Sequence, residues 1–160
     1  MRVLGLDPGS ERTGWGCVEL DATGPVRVAS GVLVLGHGPL PERLARLDAG
    51  LDRLFAEHRP DACATEGLFH HRNVRSALLL GHARGVCLLV SARHQVPVAE
   101  YAPATVKRAI AGHGAADKEQ VCAMVASLLR FEPGALLDET DALAVALCHL
   151  EAERPLRLSE

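Results

Sequence analysis

No apolar run in this sequence reaches the length of a bilayer span. The longest, Val86 to Val90 with its neighbours, is bounded by Arg84 and Arg93. The opening MRVLGLD lacks the apolar core and small-residue cleavage site of a signal peptide. There is no internal repeat, no low-complexity tract and no linker-like stretch. Five cysteines stand at 17, 63, 87, 122 and 148; no two are close and the number is odd, which argues against a disulfide framework or a zinc site. Small buried hydrophobes in a reducing compartment are the better reading, and the expected location is the cytoplasm. Lysine is nearly missing: Lys107 and Lys118 stand against fifteen arginines.

What is present describes a globular chain. Hydrophobic residues make up 48% and charged residues 23%, which excludes a disordered or fibrous polymer. At 160 residues one ordinary domain is expected, with its core over about 1–153 and a short tail. Folding at this length buries about 70% of the unfolded surface, enough for a core without staples.

The net charge of −3 is unevenly spread. From Gly67 to Ala116 the charged residues are Arg72, Arg75, Arg84, Arg93, Lys107, Arg108 and one acid, Glu100, so this stretch carries +5 and the rest −8. A basic middle in an acidic chain suits a polyanionic partner, and a scattered set of solvated arginines has the same charge sum.

The hydrophobic pattern predicts three strands in succession, at Val3–Asp7, Thr13–Leu20 and Val26–Leu35, as an antiparallel meander. Leu40, Leu44, Leu47, Leu51, Leu54 and Phe55 mark one face of a helix that Arg59-Pro60 ends. Asp61 to Glu66 reads as a strand. A long helix from Asn73 to about Arg93 carries Ala77, Gly81, Ala83 and Gly85, small residues that admit a close neighbour. A fifth strand is expected at Val96–Ala99 and a short helix at Ala104–Ala111. Asp117 caps a helix to Leu129, and Asp138 opens a last helix that stops before Pro155. This order predicts an α/β domain, a five-stranded mixed sheet with helices on both faces.

Asp7 and Glu66 close two apolar strands. In open α/β sheets ligands gather at the strands' carboxyl ends, and a buried carboxylate there needs a hydrogen-bond partner or a cation. Taken singly, each is better read as an acid capping the following loop. Asp138 and Asp141, three apart, project from one face of the last helix; they also suit its positive N-terminal end. The apolar Ala142–Leu147 run packs that helix against the sheet. Four carboxylates at one sheet edge make a hard-oxygen site suited to Mg²⁺ or Mn²⁺, and paired ions drive phosphodiester hydrolysis.

Five segments, LGLDPGSERTGWG, TEGLF, NVRSALLLGHARG, YAPATVKRAIAGHGAADKEQV and DETDALAVALCH, spread from Met1 to about Leu150, resemble the RuvC family of Holliday-junction resolvases. The resemblance implies an RNase H-like fold, a homodimer and symmetric Mg²⁺-dependent cutting of four-way DNA junctions. Two ions would sit in each active site, with Mn²⁺ as a substitute. It maps the acidic tetrad onto Asp7, Glu66, Asp138 and Asp141. Lys107 and Lys118 match the family pattern as well, as DNA contacts, with Lys118 also expected at the reacting centre and ordinary phosphate or solvent contact as the alternative for both. A loop aromatic such as Phe69 is usually a core plug, but the resemblance favours stacking on an unpaired base. Arg72, Asn73 and Arg75 lie just beyond, where they could hold phosphates. The branch-migration motor proteins RuvA and RuvB are partners by resemblance alone. His149 is expected in or just behind the core, and His70 and His71 at the surface. The competing classes are another RNase H-like nuclease acting on RNA–DNA hybrids and a catalytically silent DNA-binding module. The second would be expected to lack a carboxylate, and none is missing.

Overall fold

The computed structural model describes residues 1–67, 73–132 and 137–157. Along the chain run β1 (Arg2–Asp7), β2 (Arg12–Leu20), β3 (Pro25–Val34), α1 (Leu40–His58), β4 (Ala62–Glu66), α2 (Val74–Arg93), β5 (Val98–Tyr101), α3 (Pro103–Ala111), α4 (Lys118–Leu129) and α5 (Leu137–Arg157). The strands lie in the order β3-β2-β1-β4-β5. β1, β2 and β3 pair antiparallel as the expected meander, while β4 and β5 add in parallel to β1 through helical crossovers.

Strand alternation divides the core in two. Leu4, Leu6, Cys17 and Cys63 point to one face, where Leu47, Leu51, Leu54 and Phe55 of α1 and Ala83, Cys87 and Val90 of α2 cover them. Val3, Val18 and Ala64 point to the other face, under α3, α4 and the Leu143–Cys148 stretch of α5. The helices therefore cover both faces, as the sequence pattern predicts.

Two glycines set how closely α5 approaches. A Cβ on Gly5 would stand 1.9 Å from the Ala142 main-chain oxygen, and one on Gly14 would stand 1.9 Å from that of Asp138. The helix backbone thus rests directly on β1 and β2, with no side chain between them.

Three expectations need correction. The fifth strand begins two residues later than the apolar run suggests. Gln95 adopts φ 59° to leave α2, and Pro97, which has no N–H to give a ladder, supplies only its oxygen to Cys63 N at 2.9 Å. The last helix runs through Pro155 to Arg157; a proline in the final turn removes one hydrogen bond from a helix already held by its long buried stretch. Finally, α2 forms as one 20-residue helix and by length and composition could cross a membrane. The short Val86–Val90 run concealed this because Arg84 interrupts it. In the folded chain α2 buries Ala83, Cys87, Val90 and Ser91 and exposes Val74, Leu78 and Leu89.

Overpacking a close backbone contact typically costs about 1–3 kcal/mol. Gly5→Ala is therefore expected to lower the melting temperature clearly in thermal denaturation, because backbone rather than a yielding side chain blocks the new methyl. An unchanged melting temperature would mean that α5 does not rest on β1 at this point.

Candidate active site

The carboxylates meet because of register. Asp7 pairs with Gly14 across β1 and β2. On its other side Leu6 pairs with Thr65, so the next residues, Asp7 and Glu66, end neighbouring parallel strands. Alternation places Asp7 with Gly5 and Val3, and Glu66 with Ala64, on the face that α5 covers. The first turn of α5 lies over Gly14 and brings Asp138 beside Asp7's partner residue. Asp141 follows one turn later.

A cleft of about 210 Å³ opens at this edge, lined by Glu66, Lys107, Lys118 and Asp141 above a floor of Pro103, Val106, Val121 and Ala144. Lys118 enters from the first residue of α4. Asp117 precedes it as the N-cap and forms a reciprocal capping box with Gln120, which fixes where the helix starts. The Lys118 Nζ stands 2.7 Å from Asp141 Oδ2. Lys107, from α3, lines the same cleft.

Burial dominates the electrostatics. It is the largest cause pushing the Asp7 carboxyl up to about 7, and the nearby charges of Asp141, Glu66 and Asp138 add to it while Lys118 opposes. Glu66 is raised by burial and by Asp141, against the pull of Lys107 and Lys118. The Lys118 ammonium is raised chiefly by its hydrogen bond to Asp141. Negative charge has been forced into a site where it lacks sufficient compensation.

The donor set suits a hard divalent cation, since all four groups are carboxylates on one edge. They are not drawn together around one point: among the described residues no three acids, histidines or cysteines form a ready-made ligand cluster. Side-chain cations already engage the two helix acids, with Lys118 on Asp141 and Arg12 Nε 3.5 Å from Asp138 Oδ2. An incoming ion would compete with these two for the same oxygens.

The other residues singled out in the sequence divide. Phe69, Arg72, His70 and His71 lie outside the described residues. Asn73 is the N-cap of α2, and its Oδ1 accepts from Arg75 N at 3.0 Å and Ser76 N at 3.2 Å. Arg75 is exposed beside it. Two members of the basic stretch are engaged within the fold: Arg93 pairs with Asp48 and Asp52, and Arg84, 11% exposed, pairs with Glu100. Arg84 is thus largely withdrawn from solvent, while Arg93 stays exposed with its charge offset by two acids of α1. His149 is buried, away from the carboxylates, with its Nδ1 2.7 Å from the Tyr101 hydroxyl; burial lowers its pKa. Sequence reasoning missed Arg12, although its place five residues after Asp7 in a tight turn was a usable signal.

The raised Asp7 carboxyl has a consequence for stability. The unfolded chain ionises this group near the ordinary value, so it releases its proton before the folded chain does. The contribution of Asp7 to folding is complete at low pH and is lost as pH rises from about 4 to about 7. Without divalent ions, Asp7→Asn is therefore expected to raise the melting temperature at pH 8 and to change it little near pH 4. A gain of equal size at both pH values would show that the Asp7 charge is not the cause.

Known proteins can be set beside this geometry. A family model described as crossover junction endodeoxyribonuclease RuvC matches residues 3–149. The protein of that name from Alkalilimnicola ehrlichii is 48% identical over 158 residues, covering 98% of this chain and 96% of the relative. Its counterpart from Halorhodospira halophila is 53% identical, covering 92% and 89%. Among solved structures, T. thermophilus RuvC in complex with Holliday junction substrate superposes with a TM-score of 0.91 at 35% identity, covering 97% of this chain and 96% of that one. The five-stranded mixed sheet is the RNase H-like fold of these structures. With a family model matched over residues 3–149 and relatives about 50% identical along nearly its whole length, the chain belongs to the crossover junction endodeoxyribonuclease RuvC family.

Proposed function

We propose that this chain is a divalent-metal-dependent endonuclease that resolves four-way DNA junctions by paired symmetric nicks. The observation that carries the proposal is the meeting of Asp7, Glu66, Asp138 and Asp141 at one sheet edge, with a lysine already seated on one of them. The Holliday-junction substrate bound by the similar T. thermophilus protein supports the choice of DNA.

Asp7, Glu66, Asp138 and Asp141 would hold a pair of Mg²⁺ ions, with Mn²⁺ as a substitute. Such a pair supplies a water nucleophile at neutral pH and stabilises both the attacking and leaving oxygens of an in-line displacement. The chain's own groups do the rest. Asp7 gives up its proton when it becomes a ligand, which its raised pKa couples to pH. Lys118, displaced from Asp141, turns its compact ammonium toward the scissile phosphate. Lys107, lining the same cleft, holds a neighbouring phosphate. Arg72, Arg75 and the amide of Asn73 bind backbone phosphates near the start of α2, and Phe69 stacks on a base at the junction's centre.

Paired nicks require paired sites. The outward stripe of α2, with Val74 75%, Leu78 61% and Leu89 57% exposed, supports a homodimer through this helix. Among the described residues, no atom outside the helix's own turns lies within 4 Å of a Cβ at Gly81 or Gly85, so a second helix has room to approach there. RuvA and RuvB enter the proposal as partners through family membership alone.

Two experiments test this reading. Incubated with a synthetic four-way junction and Mg²⁺, the wild-type protein is expected to give paired nicks on a denaturing gel. Asp7→Asn, Glu66→Gln, Asp138→Asn and Asp141→Asn are each expected to slow cutting by more than the roughly 100-fold typical of losing an outer-shell partner. Metal-free junction binding should persist in all four. A variant that cuts at the wild-type rate removes that residue from the site. In sedimentation, Gly81→Arg is expected to shift the protein toward monomer, and a dimer that survives this change places the interface elsewhere.

A further inference from the structure

Arg84 lies in the middle of α2, among apolar and small residues, and points its charge inward. Its Nη1 donates to the main-chain oxygen of Glu66 at 2.7 Å. Its Nη2 pairs with the carboxylate of Glu100. Glu66 ends β4 and Glu100 belongs to β5, so one guanidinium reaches from a helix to the carboxyl ends of two neighbouring strands.

The Glu66 oxygen belongs to the peptide joining Glu66 to Gly67. The N–H of that same peptide is also held: Gly67 N donates to Tyr101 O at 2.9 Å. Both polar groups of the unit are thus engaged from opposite sides, by Arg84 and by β5. The peptide before Glu66 belongs to the strand. With the planes on either side of its Cα fixed, the Cα–Cβ direction of Glu66 is fixed as well. Without Arg84 this peptide would keep its Gly67 N–H bond to Tyr101, but the Glu66 carbonyl would lose the side-chain donor that holds it from the other side.

We propose that Arg84 is a positioning residue for Glu66. By holding the 66–67 peptide, it aims the Glu66 carboxylate into the cleft shared with Lys107, Lys118 and Asp141. It also makes that aim depend on how α2 is seated. The role needs an arginine, because two donors must reach a carbonyl and a carboxylate at once and a lysine offers a single point charge. The inference rests on the reading of Glu66 as a metal ligand given above.

The test compares Arg84→Met, Arg84→Lys and Glu66→Gln in the full chain. Mn²⁺ binding is measured by calorimetry without DNA, and single-turnover cutting of a four-way junction is followed separately. Arg84→Met is expected to weaken Mn²⁺ binding about 10-fold and to slow cutting to a similar degree, with metal-free junction affinity within about twofold of wild type. Arg84→Lys, which keeps the charge beside Glu100, is expected to recover only part of the loss and serves as the comparison if the methionine variant folds poorly. On a Glu66→Gln background, Arg84→Met should cost no further Mn²⁺ affinity, because the group it aims is already gone. Unchanged Mn²⁺ binding in Arg84→Met, or a full additional loss on the Glu66→Gln background, would overturn the proposal. A wild-type protein that binds Mn²⁺ yet leaves the junction uncut would instead overturn the junction reading, and the Mn²⁺ comparison would still decide the role of Arg84.

Discussion

The contact on which the rest of the structure depends is backbone against backbone. α5 rests on β1 and β2 at Gly5 and Gly14, with the Ala142 and Asp138 carbonyls where side chains would otherwise stand. Sheets and helices usually meet through interdigitated side chains, which keeps their axes well apart. Removing that layer at these two points lets the first turn of the helix sit beside the end of β1. Two acids that are far from Asp7 in sequence become its neighbours. A larger residue at either glycine would move Asp138 and Asp141 as one rigid body, away from the strand acids.

That closeness has an energetic consequence. Like charges in a half-buried edge raise one another's pKa, and burial strengthens the effect by stripping water. The chain relieves part of it with its own cations, Lys118 on Asp141 and Arg12 on Asp138. The folded protein therefore tolerates an arrangement that disfavours its own ionised state, with Asp7 poised near neutrality. A site of this kind favours cations because it is under-compensated, and the same property makes its carboxylates sensitive to pH.

α2 joins the site to the outer surface. One stripe of the helix is buried under α1 and the sheet, while another, rich in leucine, valine and glycine, has no partner among the described residues. Between them runs Arg84, with its guanidinium held at the ends of β4 and β5. α2 thus reaches back through Arg84 to the main-chain oxygen of the residue that ends the preceding strand. A change in how α2 is seated, whether by a second chain or by DNA near its N-terminus, would reach Glu66 through a single side chain.

Much of this was legible in the sequence. Apolar periodicity with turn and capping signals gave the order and type of the elements, though not the start of the fifth strand or the end of the last helix, because each element must bury one face and repeats its apolar residues accordingly. Asp7, Glu66, Asp138 and Asp141 stood out as acids at the ends of apolar runs, where solvation is poor and a purpose is needed. The capping role of Asp117 and the restriction of lysine to positions 107 and 118 were visible in the same way. What the sequence could not decide was pairing. Nothing in the spacing says that Arg84 turns inward to Glu100, that Arg93 pairs with Asp48 and Asp52 of α1, that Arg12 meets Asp138, or that Gly5 and Gly14 lie under α5 while Gly81 and Gly85 face outward. Local sequence records which face of an element is apolar, since that depends on neighbours one turn or two residues away. Which distant groups meet on that face depends on strand register and helix seating, and these are settled only when the whole core closes at once.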